Sequence, residues 1–310
     1  MIRAQLTMDP HTVRSRPAYA LMALACALGV WPAAARAQTS PSLPALASAI
    51  IPGLGQAING DYGEATAHFG VYALSLSAGL YYQRKPDFLS DDMRYDDANN
   101  REFINQTTLR RDFALRLATD TALYSSFAAY RDARARDGRS YRTPAPKESL
   151  SDLALAPFSW EFLSRPTTFL PLALQALAAS RKGGYGIYRA QDVSKGDLHA
   201  YNVTANEFTA VGEEGFFRGF VNNDLSARWG NGWGLTGSSL LFGIAHNGQG
   251  DTANVVEATI AGAYLGWVHQ RNGFEIGEGV ALHYWINVLA GIAAIRNGGS
   301  APLLSISVPF

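Results

Sequence analysis

The second half of this chain contains apolar helical stretches that are short for membrane spans and that carry polar groups. They lie near residues 199–224, 235–247, 253–270 and 278–296. The apolar cores of the last three are about a dozen to seventeen residues long, whereas a free-standing span needs roughly twenty. Polar groups within such segments are tolerated when they face protein or water. The pattern therefore predicts an all-α fold: a polytopic membrane helical bundle with a polar site enclosed among its C-terminal helices.

The first 37 residues have the features of an export signal. Three arginines precede an apolar run, and the small residues "ARA" at 35–37 suit a cleavage site. The alternative is an anchor helix that is not cleaved, but the apolar run is short for a full span. The sequence has one cysteine, Cys26, which lies inside this segment. A mature chain that starts near Gln38 therefore has no disulfide, thiolate metal ligand or cysteine nucleophile.

The rest of the chain divides into three segments. Residues 38–148 are predicted to form a helical hairpin around "NGDYG", then an amphipathic helix, then an arginine-rich linker. In a membrane protein, the positive-inside rule places that linker in the cytoplasm. Residues 149–299 hold the short apolar helices. Residues 300–310 alternate apolar and polar side chains, which predicts an extended tail.

Charge and motif content exclude several classes of protein. Lys and Arg total 26 and Asp and Glu also total 26, so no basic field favours nucleic acid. The sequence has no HExxH, GxSxG or P-loop motif, so the common soluble metalloproteases, serine hydrolases and NTPases find no support.

Two adjacent glutamates and an arginine lie inside the aromatic and glycine-rich run "VGEEGFFRGF" at 211–220. On an α-helix, residues four apart share a face, whereas adjacent residues point in different directions. Glu214 should therefore form a buried ion pair with Arg218, which gives these two residues a structural and electrostatic role. Glu213 is left without that partner. An unpaired carboxylate in apolar surroundings is a stronger base than one in water, which suits a general base.

Two later helices add further polar side chains at helical spacing. His246 follows Phe242 by four residues, and Asn287 follows His283 by four. Three helices could thus direct Glu213, both histidines and Asn287 at one point. Such a set supplies what amide hydrolysis needs: a carboxylate to take a proton from water, imidazoles to hold water or a metal, and donors for the developing oxyanion.

The segments "EEGFFR", "FGIAH" and "HYWIN" resemble the EExxxR, FxxxH and HxxxN motifs of the CPBP family of intramembrane proteases. This family includes the Rce1-type CAAX prenyl endopeptidases and the Abi proteins. The resemblance covers roughly residues 150 to 297 and implies a membrane-embedded helical bundle that hydrolyses a peptide bond. It also implies that Glu213 activates water together with His246, while His283 and Asn287 bind the oxyanion or help to hold a metal.

The resemblance leaves the metal and the substrate open. Glu213, His246 and His283 could form a zinc site with one open position, and the same residues could act as a metal-free glutamate site. The expected partners are the membrane and a membrane-associated protein or peptide substrate, with no nucleic acid, and the expected location is a bacterial inner membrane. The alternative function is a catalytically inactive, membrane-embedded binding or scaffold protein.

Overall fold

A computed structural model of the protein describes residues 40–181, 185–247 and 252–296. The predicted export signal, including Cys26, and the predicted extended tail at 300–310 lie outside these residues.

The described part of the N-terminal half is mostly helical. The turn that the "NGDYG" sequence predicts is present, with Gly60 at a φ of 85°. The Asp61 side chain accepts a hydrogen bond from the backbone N–H of Glu64 and so caps the third helix, while Asn105 caps the fifth in the same way. The helices are α1 Ser42–Ile50, α2 Leu54–Ile58, α3 Tyr62–Gln83, α4 Asp91–Arg94 and α5 Gln106–Arg136.

The second half contains the four helical stretches that the sequence predicts, although the first is not a simple α-helix. That stretch runs as α9, then as a π-helical segment, then as α10, while the other three are α11, α12 and α13. The elements are α6 Leu150–Leu155, α7 Trp160–Leu163, α8 Pro166–Ala179, α9 Lys195–Glu213, the π-helix Glu214–Asn222, α10 Asn223–Trp229, α11 Asn231–Ala245, α12 Thr252–Arg271 and α13 Gly277–Ile295.

A small three-stranded sheet departs from the all-α prediction. Its strands are β1 Tyr95–Asp96, β2 Arg101–Ile104 and β3 Gly186–Arg189. β1 pairs with β2 in the antiparallel sense, and β2 pairs with β3 in parallel, with Arg101 opposite Gly186. Strands of two to four residues are too short to show a period-two pattern, and the β2–β3 pairing joins distant parts of the chain. The mainly helical class is confirmed, with this sheet as an addition.

The long helix α5 joins the two halves of the chain. It packs against α1, α3, α9 and the π-helix. Tyr130 of α5 belongs to the same buried cluster as Ala45 of α1 and as Phe216, Phe220 and Phe242 of the second half. The halves on either side of the arginine-rich linker therefore share one continuous core.

Among the described residues, α13 is the one helix that is long and apolar enough to cross a membrane. Of the most apolar stretch of α13, 72% is buried inside the protein, as expected for the central helix of a bundle. The polytopic arrangement stays a prediction.

Candidate active site

The EExxxR segment lies where α9 changes into the π-helix. Glu213 is the last residue of α9 and Glu214 is the first of the π-helical turns, whose wider spacing is frequent at functional sites. Both glutamates are buried, with exposed fractions of 3% and 0%. Glycines bring this segment against α5: a Cβ at Gly219 would lie 2.4 Å from the Phe127 ring, and one at Gly212 would lie 2.9 Å from the Asp120 carbonyl oxygen.

The ion pair that the spacing of the motif predicts is present. Arg218 Nη1 lies 3.0 Å from Glu214 Oε1, and Arg218 also donates to the Gly262 carbonyl oxygen at 3.3 Å. The guanidinium lies 4.3 Å from the centre of the Phe242 ring, in the geometry of a cation–π contact. Charge, hydrogen bonding and the aromatic ring together compensate a cation that is only 1% exposed.

His283 of α13 links the two glutamates. Its Nδ1 lies 2.8 Å from Glu214 Oε1, and its Nε2 lies 3.8 Å from Glu213 Oε2. The shorter distance is a hydrogen bond and the longer one is not. Glu214 therefore has two partners on one oxygen, Arg218 and His283, and the hydrogen bond orients the ring so that Nε2 faces Glu213.

His246 follows the last turn of α11 and is held by its own helix. Its Nδ1 lies 2.7 Å from the Phe242 carbonyl oxygen. Because a carbonyl oxygen only accepts hydrogen bonds, Nδ1 carries the proton, and the neutral ring presents Nε2 as an acceptor. The Phe242 ring lies 4.5 Å from the ring of His246 and 6.3 Å from that of His283, measured between centroids. Phe242 thus packs against both histidines.

Each of the three motifs contributes at least one buried polar atom that has no hydrogen-bond partner in the structure, and three of these atoms belong to the proposed base and the two histidines. These three atoms are Glu213 Oε2, His246 Nε2 and His283 Nε2. Buried polar atoms are nearly always satisfied, and a group of unsatisfied ones needs a specific explanation. Asn287 is also buried, one helical turn beyond His283 on α13.

Comparison with protein families gives one match to this region. The model described as "Type II CAAX prenyl endopeptidase Rce1-like" matches residues 200–289. This segment is Rce1-like. The motif-based recognition of the CPBP and CAAX protease family is thereby confirmed over these residues, which include all seven motif side chains. Comparison with curated proteins and with solved structures finds no match.

The three side chains proposed as possible zinc ligands are Glu213, His246 and His283. The donor types of a zinc site are present, and three of the donor atoms lack partners. However, the described residues contain no group of three or more His, Cys, Asp or Glu side chains placed to hold a metal ion. In this arrangement Glu213, His246 and His283 are not grouped around one point that could hold a metal ion, and the choice between a zinc site and a metal-free glutamate site stays a prediction.

Helix α5, outside the Rce1-like segment, adds polar residues next to the site that the motif analysis misses. Arg116 Nη1 donates to Thr209 Oγ1 at 2.9 Å, and Thr209 donates to Asp120 Oδ2 at 3.1 Å. Thr209 lies one turn before Glu213 on α9. Burial raises the pKa of Asp120 from 3.8 to about 7, although Arg116 and Thr209 act in the opposite direction. The sequence feature that could have indicated these residues is the presence of charged side chains among the apolar positions of α5.

Of the histidines that match no motif, His269 of α12 lies closest to this chemistry. It is 1% exposed, and its Nδ1 lies 3.3 Å from the Glu275 carbonyl oxygen. Its electrostatic interaction with Glu214 places it near the first motif. A lone histidine on an apolar helix face gives no spacing that would identify it from the sequence.

Proposed function

We propose that the Rce1-like segment is a membrane endopeptidase of the CPBP type that hydrolyses a peptide bond of a membrane-associated protein or peptide. The observation that carries this proposal is that every motif brings unpartnered polar atoms into the buried interior, among them Glu213 Oε2, His246 Nε2 and His283 Nε2. A packing role alone does not account for three such atoms, because each costs about 1–3 kcal/mol when it is left unsatisfied. A bound water and a substrate amide would supply the missing partners.

Glu213 and His246 are proposed to hold and activate the water. His246 Nε2 accepts one hydrogen of the water, because its Nδ1 hydrogen is committed to the Phe242 carbonyl oxygen. Glu213 Oε2 accepts the other and takes that proton as the water oxygen bonds to the carbonyl carbon. The carboxylate is suited to this role because it lacks the arginine that neutralises Glu214.

His283 and Asn287 are proposed to stabilise the oxyanion. His283 Nδ1 donates to the Glu214 carboxylate, and an imidazole ring that carries a hydrogen on both nitrogens can also donate from Nε2. Nε2 then donates to the substrate oxygen as that oxygen becomes negative, next to the base at 3.8 Å. The side-chain amide of Asn287 supplies a second donor from the same helix face.

Collapse of the tetrahedral intermediate completes the reaction. The carbon–nitrogen bond breaks, and Glu213 returns its proton to the leaving amine nitrogen, so that the carboxylate is regenerated. The products are a new carboxyl terminus and a new amino terminus. Because the three unpartnered side chains are at most 3% exposed, a substrate reaches them only when neighbouring helices separate.

The substrate is proposed from the family and from the enclosure of the site. The matching family is membrane-embedded, and its description names CAAX prenyl endopeptidases. For this chain the proposal is limited to a peptide bond presented from the membrane. The bacterial inner membrane stays the proposed location.

The test is proteolysis of membrane-bound candidate substrates by the wild type and by Glu213→Ala, His246→Ala and His283→Ala. We expect product with a defined new terminus from the wild type alone. Equal cleavage by all four proteins would contradict the catalytic assignment. A scaffold protein would instead keep its biological effect in Glu213→Gln and lose it when its apolar surface is disrupted.

A further inference from the structure

Helices α11 and α12 present a two-helix surface that is apolar and exposed. Leu240 and Ile244 point outward from α11, and Val256 and Ile260 point outward from α12, with exposed fractions from 51% for Leu240 to 63% for Ile260. The spacing of four residues places the two side chains of each pair on the same face of their helix, one turn apart. Contiguous exposed apolar surface of this kind marks contact with a membrane or with another protein.

Tryptophans and arginines lie at one end of this surface, near the start of α11 and the end of α12. Gln270 of α12 donates to the Asn231 carbonyl oxygen at 2.8 Å, so the last turn of α12 lies beside the first turn of α11. Three tryptophans and three arginines lie around this end. They are Trp229, Trp233, Trp267, Arg142, Arg228 and Arg271. We call these six residues the Trp–Arg belt.

The belt contains a cavity with cationic and aromatic walls. Arg142, Arg228, Trp229 and Trp233 line a cavity of about 560 Å³. Arg228 also lies 3.0 Å from Asp224, which balances part of its charge, and it donates at 2.6 Å to the hydroxyls of two serines, Ser40 and Ser42. Arg142 is exposed at the surface and adds a second positive charge.

Arg271 and Trp267, the two belt residues on α12, form a second pair of a cation and an indole ring. The Arg271 guanidinium lies 5.5 Å from the centre of the Trp267 ring, and both side chains are exposed. Indole rings collect at membrane–water interfaces because they have an apolar body and a polar edge, and arginines beside them bind anionic headgroups.

We propose that the α11–α12 surface faces lipid and that the Trp–Arg belt binds anionic phospholipid headgroups, with the cavity at Arg142 and Arg228 taking the phosphate. Charge complementarity favours this occupant, because arginines attract anionic headgroups and indoles at one end of an apolar surface match the position of the membrane–water interface. The arginine-rich linker, which includes Arg142, lies at the same end, where the positive-inside rule predicts the cytoplasmic leaflet.

The dimensions of the surface agree with a bilayer. Glu257, an exposed acid near the other end of α12, precedes Arg271 by fourteen residues, or about 21 Å of helix. This length exceeds one leaflet of hydrocarbon, about 15 Å, and is less than the whole core of about 30 Å. The apolar side chains Val256, Ile260 and Trp267 thus lie within reach of acyl chains.

The proposal uses the membrane location of the family but not the catalytic assignment, and its test contains no proteolysis. Three single-cysteine variants are made in a Cys26→Ser background: Trp233→Cys, Leu240→Cys and, as a water-exposed control, Arg110→Cys. A nitroxide label is attached to the cysteine of each variant. The full chain is reconstituted in vesicles of phosphatidylcholine with phosphatidylglycerol, and collisions of each label with oxygen and with a water-soluble nickel chelate are measured.

We expect the label at 240 to collide with oxygen and to be protected from nickel, the label at 233 to report headgroup depth, and the label at 110 to collide freely with nickel. Nickel access at 240 equal to that at 110 would overturn the proposal, because the surface would face water. Protection of 240 from both reagents would also overturn it, because a protein would cover the surface.

Headgroup binding is tested by comparing spin-labelled phosphatidylglycerol with spin-labelled phosphatidylcholine for association with the reconstituted protein. We expect the wild type to prefer the anionic lipid and Arg142→Gln to lower that preference about fivefold, in line with the attraction of one arginine near an anionic surface. Arg110→Gln removes an exposed arginine distant from the belt and should leave the preference unchanged. Equal lipid preference in wild type and Arg142→Gln would overturn the assignment of the cavity.

Discussion

His283 Nδ1 lies 2.8 Å from Glu214 Oε1, which joins the third motif to the first in the buried interior. The same oxygen of Glu214 lies 3.0 Å from Arg218. Glu214 is thus held by an arginine and a histidine, whereas His283 is 3.8 Å from the neighbouring Glu213, beyond hydrogen-bond distance. We propose that the two adjacent glutamates have different functions because the residues packed against them differ.

The Glu214–Arg218 pair is expected to stabilise the fold in a strongly coupled way. Glu214→Gln leaves Arg218 charged at 1% exposure, and Arg218→Met leaves Glu214 with His283 alone, so each change should cost about 3–5 kcal/mol. The double variant removes both charges and should cost clearly less than the sum. Chemical unfolding of the three variants in detergent measures this coupling. Additive costs would show that the pair does not act as a unit.

Helix α5 packs so closely against the first motif that no side chain larger than that of glycine should fit at residue 219 without a shift of its neighbours. A Cβ there would lie 2.4 Å from the Phe127 ring, so Gly219→Ala should destabilise the protein by about 1–3 kcal/mol. Gly232, in the first turn of α11, has open space around it, and Gly232→Ala is the matched control, which should be neutral or slightly stabilising. Thermal unfolding compares the two. Equal midpoints would mean that the α5 contact tolerates a methyl group.

Asp120 should make stability depend on pH. Its pKa is raised by burial from 3.8 to about 7, so the folded protein favours the protonated form. The stabilisation is complete below pH 3.8 and is lost as pH rises through about 7. Asn cannot ionise, but it can accept the hydrogen bond from Thr209. As pH rises between these values, wild type should lose stability that Asp120→Asn keeps. The melting temperature of the variant should therefore rise by about 5 °C relative to that of wild type. A difference that is constant with pH would contradict the assignment.

Much of the candidate site follows from the sequence because helical spacing determines which side chains share a face. The Glu214–Arg218 pair is such a case, since four residues bring the two side chains together even on the π-helical turns. The side chains from the three motifs come into one buried region because the helices that carry them pack around Phe242.

Other features could not be predicted because they depend on contacts between distant parts of the chain. The hydrogen bond from His283 to Glu214 requires α13 to cross the π-helix, and the polar group of Arg116, Asp120 and Thr209 requires α5 to lie against α9. No periodicity within one segment encodes either contact. The short sheet at 95–104 and 186–189 is also a long-range pairing, and its strands are too short for a pattern.

Metal removal distinguishes the two forms of the proposed mechanism. Because the proposed mechanism uses Glu213 as the base and no metal, we expect full activity after treatment with a strong chelator and no stoichiometric zinc in purified active protein. Elemental analysis and peptide cleavage are measured on the same preparation, with a known zinc protease as the control for chelation. Activity that is lost on chelation and restored by zinc would establish the metal form.

The central claim concerns the carboxylate of Glu213, and cleavage by Glu213→Gln tests it most directly. Gln keeps the shape of the side chain but cannot accept a proton at neutral pH, so the rate of peptide cleavage should fall by about 10²-fold or more. Glu207→Gln, a partly exposed position on the same helix, is the matched control and should keep wild-type activity. Both variants should unfold near the wild-type temperature. Wild-type cleavage rates in folded Glu213→Gln would contradict the account.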